Sequence, residues 1–315
     1  MTGREASVTQ DQVAAGVRTE QEIASQPACW RRAAGVAGDV AALLPAPGER
    51  VAVVGCGTSW FIAQSYAAAR EQSGQGETDA FTASEMPYGR HYDRTLFLSR
   101  SGTTTEIQEA AERVRGASPT VAITTDARTP AALAVDEVIE LAFADEESVV
   151  QTRFATTELA LLRAHLGIDI EPSARAAERV LVEPVPAQLL AARQFTFLGT
   201  GWTYGVANEA ALKLRESAGM WTESYPAMEY RHGPAAVTGE ESVVWVFGPA
   251  PAGLADDIAL AGGLAWAGDE DPMAALVQVH LVALAKARAA GLDPDQPRNL
   301  TRSVILTPAV SGETR

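Results

Sequence analysis

One pattern occurs twice in this chain of 315 residues, and it restricts the fold more than any other feature. Val51–Val54 is a short apolar run that ends in Gly55-Cys56-Gly57-Thr58-Ser59. Phe195–Leu198 is a second, ending in Gly199-Thr200-Gly201-Trp202-Thr203. The glycines match at an offset of 144, and at the same offset Glu85 matches Glu229. An apolar strand that breaks into glycines and then into a helical pattern is the building unit of a parallel α/β sheet. Chance similarity between glycine-rich strand ends is the alternative. Three matches in one local context favour an internal duplication of an α/β unit.

The remaining pattern fits that unit. Strands are expected at Thr95–Leu98, Thr120–Thr124 and Val138–Ala142, and helices at Glu106–Arg115 and Thr156–Leu166. Val243–Phe247 parallels Thr95–Leu98 in the second copy. Before the first strand, residues 1–46 read as an N-terminal helical arm. Gln26-Pro27 should break it, leaving a second helix over Trp30–Leu44. Residues 47–168 then form a first domain and 192–315 a second. Residues 169–191 carry Pro172, Pro184 and Pro186 and read as a linker whose middle, Ser173–Leu181, has helical character.

Charge narrows the function classes. The formal net charge is −15, which argues against a nucleic-acid binder, since phosphate neutralisation needs a basic face. A small phosphorylated ligand remains open, because hydroxyls and helix N-termini bind phosphate without net positive charge. The two cysteines, Cys29 and Cys56, give no disulfide framework. The N-terminus lacks a signal-peptide pattern, and no apolar run reaches the roughly 18 residues of a membrane span. A cytoplasmic protein with no membrane partner is the expectation. No His/Cys/Asp cluster has metal-ligand spacing, and His91, His165 and His280 have no partner pattern.

The first copy continues from its strand into Ser99-Arg100-Ser101-Gly102-Thr103-Thr104, between a strand end and a helix start. Ligands of open α/β sheets bind beyond the carboxyl ends of strands. There Ser99, Ser101 and Thr104 offer donors, Gly102 admits close backbone approach, and the helix start adds partial positive charge. An ordinary helix cap is the alternative reading of such a loop. Thr58 and Ser59, ending the neighbouring strand, favour an anion site. The second copy has Gly248-Pro249-Ala250-Pro251 instead, so one phosphate site per chain is expected. A dinucleotide fingerprint is missing its third glycine, because that position holds Trp60.

The second helix carries Glu209, Lys213 and Glu216, which share one face at i, i+4 and i+7. The chain has two lysines against 23 arginines, so a lysine here suggests that arginine will not serve. A solvated face with one ion pair is the plain alternative. His232 follows soon after, held by a Gly233-Pro234 turn. A carboxylate can remove a carbon-bound proton beside a carbonyl, and a histidine can move the proton that opens a sugar ring.

Together these segments resemble the SIS (sugar isomerase) family, above all in double-SIS form. The likeness runs from Glu22–Pro27 through the two hydroxyl-rich loops, Asn208–Glu216 and Tyr230–Pro234, to Asp295–Ser303. It implies two tandem doubly wound, flavodoxin-like parallel-sheet domains behind the helical arm. It also implies a sugar phosphate as ligand, no organic or metal cofactor, and a homodimer with shared active sites. Thr58, Ser59, Ser99, Ser101 and Thr104 would hold the 6-phosphate, with Arg100 where the family has glutamine. Glu216 would be the base between C1 and C2, supported by Lys213 and Glu209. His232 would act from the partner subunit. Val149 and Thr301 would line the sugar pocket through their backbones. Arg302 replaces the family's imine-forming lysine, and a guanidinium does not form that imine. Residue 2 is threonine rather than a nucleophilic cysteine, so ammonia from glutamine is not expected. The expected activity is C2 deprotonation of a hexose or aminohexose 6-phosphate, giving aldose–ketose isomerisation with or without deamination. Dehydration of an N-acetylhexosamine 6-phosphate, deglycation of a fructosamine phosphate, and non-catalytic sugar-phosphate sensing are the alternatives.

Overall fold

The computed structural model describes residues 14–268 and 270–306. The first 13 residues of the expected arm, 1–46, therefore lie outside the described residues.

Helix α1 spans Val17–Val36 without a break. The expected stop at Pro27 and the separate helix over Trp30–Leu44 are both overturned. Proline removes the N–H that would bond the Ile23 carbonyl. Here Gln26 Nε2 donates to that same carbonyl at 3.2 Å, so the gap is filled locally. Helix α1 also gains burial along its length, with Ile23, Trp30 and Ala33 inside the core, and packing of this kind overrides local propensity. Its first turn is capped from far away: Asp295 accepts from Thr19 N at 2.8 Å and from Arg18 N at 3.0 Å. The helix is thus a packed element touching α5, α6 and α10 rather than a projecting arm.

The first unit runs β1 (Val51–Gly55), α2 (Thr58–Gln72), β2 (Thr78–Thr82), β3 (Arg94–Leu98), α3 (Thr105–Val114) and β4 (Thr120–Thr124). It ends with α4 (Pro130–Leu133), β5 (Glu137–Glu140) and α5 (Arg153–His165). Helices α6 (Glu171–Val182) and α7 (Ala187–Ala191) occupy the segment expected as a linker, and α6 packs on α1 and α10. The second unit runs β6 (Gln194–Gly199), α8 (Trp202–Ala218), β7 (Thr222–Pro226) and β8 (Ser242–Phe247), then α9 (Leu254–Leu260), β9 (Leu264–Ala267) and α10 (Pro272–Ala289).

Both sheets are parallel throughout. The first has the order β2-β1-β3-β4-β5 and the second β7-β6-β8-β9. That is the doubly wound order in which a switch point opens between the first and third strands, where ligands bind. Strand alternation splits the apolar residues between two faces. Val51, Val53, Leu96 and Leu98 join Phe195, Phe197, Val243 and Trp245 in one core shared by the two sheets. Ala52, Val54 and Phe97 face an outer layer with Ile107 of α3, and Leu198, Val244 and Val246 face Leu254 and Ile258 of α9.

Both strand-to-helix turns use the same backbone device. Gly57 has φ 54 and ψ −122, and Gly201 has φ 58 and ψ −127, a region that L side chains rarely adopt. Helix α8 lies so close to α2 that a Cβ on Gly205 would meet Phe61 O at 2.4 Å. The two units therefore meet helix against helix, which brings the end of α8 to the mouth of the first sheet. No helix among the described residues is long and apolar enough to cross a membrane.

Candidate active site

The cavity that gathers the predicted residues lies at the carboxyl end of the first sheet and has a volume of about 190 Å3. The turn after β1 supplies Gly57 and Thr58, and the loop after β3 supplies Arg100 and Thr104. Val149, then Lys213 and Glu216 from α8, and finally Thr301 and Arg302 complete it. These residues span most of the chain, and only the helix-to-helix contact of the two units lets α8 reach a loop of the first.

Lys213 is the hinge of the arrangement. Its Nζ lies 2.5 Å from Glu216 Oε2, 2.9 Å from Thr58 Oγ1 and 3.3 Å from Glu209 Oε1. Thr58 Oγ1 in turn donates to Glu209 Oε1 at 3.3 Å. Burial favours the neutral amine of Lys213, but the carboxylates of Glu209 and Glu216 outweigh it and raise its pKa. Burial pushes Glu209 up to about 7, against the pull of Lys213. Glu209 is fully buried beneath the cavity, whereas the Glu216 side chain is 21% exposed and reaches it. The three residues therefore have distinct positions: one buried acid, one fixed ammonium, and one carboxylate open to a ligand. Behind them, His280 is pushed down to about 3 by burial and by Lys213, and its Nδ1 lies 3.2 Å from Gln26 Nε2. That contact ties α1 to the base of the site.

The hydroxyl-rich loop is held partly by itself. Ser99 Oγ accepts from Gly102 N, and Ser101 Oγ accepts from Thr103 N, each at 3.2 Å. Ser59, Ser99 and Ser101 do not line the cavity, while Thr58 and Thr104 do. Arg100 departs from the reading of a free anion ligand. Its guanidinium is buried and donates to the carbonyls of Ser148 at 3.0 Å and of Val149 and Arg302 at 3.2 Å. It is a strut between the loop, residues 148–149 and the C-terminal segment. Glu22 of α1 braces that strut by accepting from Glu147 N at 2.6 Å and Ser148 N at 3.2 Å. The Val149 N–H donates to Asp295 O at 3.2 Å, so both of its backbone polar groups are already engaged.

The C-terminal segment crosses the cavity. Val304 O accepts from Thr105 N at 3.1 Å, and Ser303 Oγ accepts from Thr103 Oγ1 at 2.9 Å. Arg302 donates to Asp145 and to the Glu146 carbonyl, which directs its guanidinium to the wall. His232, by contrast, stands apart. It ends a short turn over Glu229–His232, is exposed, and does not border this cavity.

Several lining residues were not read from the sequence: Cys56, Glu106, Gln151, Leu300, Ser303 and Val304. Glu106 and Gln151 each follow a predicted residue by two positions, which is the signal that was available. Burial pushes the Cys56 thiol up to about 11, so it stays protonated near neutrality and is a weak nucleophile. Among the described residues, no group of three or more His, Cys, Asp or Glu side chains is placed to hold a metal ion.

An open parallel α/β sheet with a hydroxyl-rich loop and a carboxylate at its switch point defines a class of small-anion-binding proteins. Residues 46–166 match the model of the SIS domain, which identifies the first unit as an SIS domain. The protein is 30% identical over 319 residues to glutamine–fructose-6-phosphate aminotransferase (isomerizing) of Gloeobacter violaceus, covering 82% of this chain and 52% of the relative. The enzyme of that name from Methanothermobacter thermautotrophicus is 28% identical over 307 residues, with the same coverage. The chain thus spans about half the length of the curated relatives it matches. In fold it is similar to tagatose-6-phosphate ketose/aldose isomerase of Escherichia coli, with a TM-score of 0.76, 19% identity, and coverage of 95% of this chain and 99% of that one. It is also similar to glucosamine-6-phosphate deaminase of Thermotoga maritima, with a TM-score of 0.72, 23% identity, and coverage of 92% and 100%.

Proposed function

We propose that the protein is a phosphosugar isomerase or deaminase that uses Glu216 to move a proton beside the carbonyl of a hexose or aminohexose 6-phosphate. The observation that carries this reading is the link from Thr58 Oγ1 to Lys213 Nζ at 2.9 Å and on to Glu216 Oε2 at 2.5 Å. It couples the phosphate end of the cavity to a carboxylate that is open to a ligand. The names of the relatives and of the fold neighbours, all concerned with hexose or hexosamine 6-phosphates, support the same substrate class.

The phosphate would sit between the starts of α2 and α3, with Thr58 and Thr104 as donors and the two helix ends supplying positive potential. The open-chain carbonyl is then the electron sink. Glu216 takes the C2 proton of an aldose and returns it to C1 of the enediol, which yields the ketose. Lys213 holds Glu216 in place by a 2.5 Å ion pair. With a free amine on C2, the same transfer of the C2 proton to C1 gives a C2 imine, which water hydrolyses to the ketose with release of ammonia. The Arg302 guanidinium does not form an imine with the sugar, so ring opening falls to proton transfer by a histidine. We assign that step to His232 of a second copy of the chain, because His232 is exposed and away from its own chain's cavity.

The test is exchange in deuterated water with fructose 6-phosphate, glucosamine 6-phosphate and N-acetylglucosamine 6-phosphate. Deuterium at C1 of a ketose or C2 of an aldose is the expected result, and product masses sort isomerase, deaminase and dehydratase. Binding of all three without exchange would instead identify a sugar-phosphate sensor. Glu216→Gln should abolish exchange and leave binding largely intact; a variant that still exchanges puts the base elsewhere.

A further inference from the structure

The second sheet is one strand shorter than the first, and the strand without a counterpart is β5. The offset of 144 that relates the two glycine turns also carries Thr120, the start of β4, onto Leu264, the start of β9. Beyond that point the two copies diverge. Residues 125–152 lie between β4 and α5 and include β5, whereas only residues 268–271 lie between β9 and α10. The second unit therefore lacks the strand that would flank β9.

The consequence is an open edge. Strand β4 is buried at every position between β3 and β5. Among the described residues β9 pairs only with β8, and Leu264 and Ala267 at its two ends are exposed. A row of backbone N–H and C=O groups on such an edge is a template for a further strand. Leu264-Ala265-Trp266-Ala267 carries none of the lysines, prolines or charges that guard natural edges. A groove of about 340 Å3 runs between this strand and α10, lined by Trp245, Trp266 and Ala275. Trp266 is fixed there by its Nε1, which donates to Gln278 Oε1 at 3.3 Å.

From this geometry we infer that β9 pairs antiparallel with β9 of a second copy of the chain, joining their two second-unit sheets into one. The residue order suits a two-fold axis. Such an axis stands perpendicular to the sheet, so each face continues on its own side. With Ala265 opposite Ala265, Leu264 of each copy meets Trp266 of the other over the groove, and small side chains stand at the axis. The charges suit it as well. Glu241, beside Leu264, is paired with Arg193 at 3.1 Å, and Glu270, beside Ala267, with Arg179 at 3.9 Å. Antiparallel pairing brings one end of each strand to the other end of its partner, where each arginine gains a second glutamate. Asp271 is already engaged by Met273 N at 2.9 Å and Ser173 Oγ at 2.8 Å. The pairing uses no residue of the Glu216 cavity and does not depend on its chemistry. Together with a separate contact that presents His232, it builds a dimer of dimers.

The test is sedimentation of the full chain and of Leu264→Lys, which puts a charge on the shared edge. The variant should contain half as many copies per particle as the parent. Leu264 is 38% exposed, so the variant is expected to fold, and a melting temperature equal to the parent's would verify it. Cross-linking checks the register with a milder change. Opposite residues of an antiparallel pair have Cα atoms about 4.5 or 5.5 Å apart, within reach of a disulfide. Ala265→Cys chains should therefore link to each other under mild oxidation. Ala267→Cys chains should not, since their two sulfurs then stand about 13 Å apart along the strands. The parent, with Cys29 and Cys56, supplies the background. A parent that sediments as a single copy, a Leu264→Lys particle of unchanged size, or Ala265→Cys chains that link no more than the parent, overturns the inference.

Discussion

Asn208 Nδ2 donates to Gln64 Oε1 at 2.7 Å, and the two residues stand 144 positions apart. That is also the offset relating Gly57 to Gly201, so equivalent positions of the two units touch where α2 meets α8. The same offset pairs Ser65 with Glu209, Ala69 with Lys213, Gln72 with Glu216, and Trp202 with Thr58. The chain therefore carries the outline of a second site whose chemistry is gone. Gln72 Nε2 sits 2.0 Å from where a Cβ on Gly201 would lie, so the amide covers the turn that Thr58 leaves open in the first unit. Titration calorimetry with a non-reacting hexitol 6-phosphate should give one ligand per chain, and two equivalent sites would contradict this account.

Lys213 is surrounded by more negative charge than it neutralises, so its removal should be costly. Lys213→Met leaves Glu209 buried without its cation, and breaking a buried pair of this kind costs about 3–5 kcal/mol. Urea unfolding should show the loss. The double variant Lys213→Met with Glu209→Met should recover much of it and remain inactive, which separates the structural part of the lysine's role from its hold on Glu216.

Glu209 sets a pH dependence of stability. Its ordinary pKa of 4.5 rises to about 7 in the fold because burial disfavours the carboxylate. The folded state then binds the proton more tightly than the unfolded chain. This group's contribution is most favourable below 4.5 and declines as pH rises towards 7, where it levels off. Glu209→Gln should flatten the melting-temperature profile across that window. An unchanged slope would mean that other groups govern it.

Arg100 joins three segments that are distant in sequence, through the carbonyls of Ser148, Val149 and Arg302. Arg100→Gln keeps the residue type that the SIS likeness suggests but is too short to serve all three acceptors. We expect a loss of about 1–3 kcal/mol from stranded buried carbonyls. Faster proteolytic cleavage within residues 300–304 and a rise in KM larger than the fall in kcat should accompany it. Arg100→Lys keeps the charge without the planar fork and should fall between the two.

The sequence was legible where burial is complete and less so where it is partial. Strands β1 and β4 are buried at every position and read as continuous apolar or β-branched runs. Strands β2 and β7 are sheet edges with half-exposed polar residues, such as Asp79 and Glu223, and nothing in their pattern sets them apart from loops. Pro27 misled because the compensating donor is a side chain, Gln26, rather than a backbone rule. In the site, residue types told which groups hold chemistry but not where long side chains end. Arg100 sits in the predicted loop and points its guanidinium inwards, a choice made by the carbonyls of residues 148, 149 and 302.

His232 provides the sharpest test of assembly. It is exposed, and the exposed apolar residues Met228 and Val237 flank it in sequence. If a second copy presents this histidine to the Glu216 cavity, each site of a dimer draws on both chains. In a two-fold dimer of Glu216→Gln and His232→Asn chains, one site then keeps both groups and the other loses both. Each variant alone should be inactive in deuterium exchange. An equimolar mixture, allowed to re-form dimers at random, should regain about a quarter of the parent activity per chain, because half the dimers are mixed and each has one intact site. Sedimentation at the assay concentration would verify that dimers are present. No recovery in mixed dimers would place the ring-opening proton donor within the same chain as Glu216.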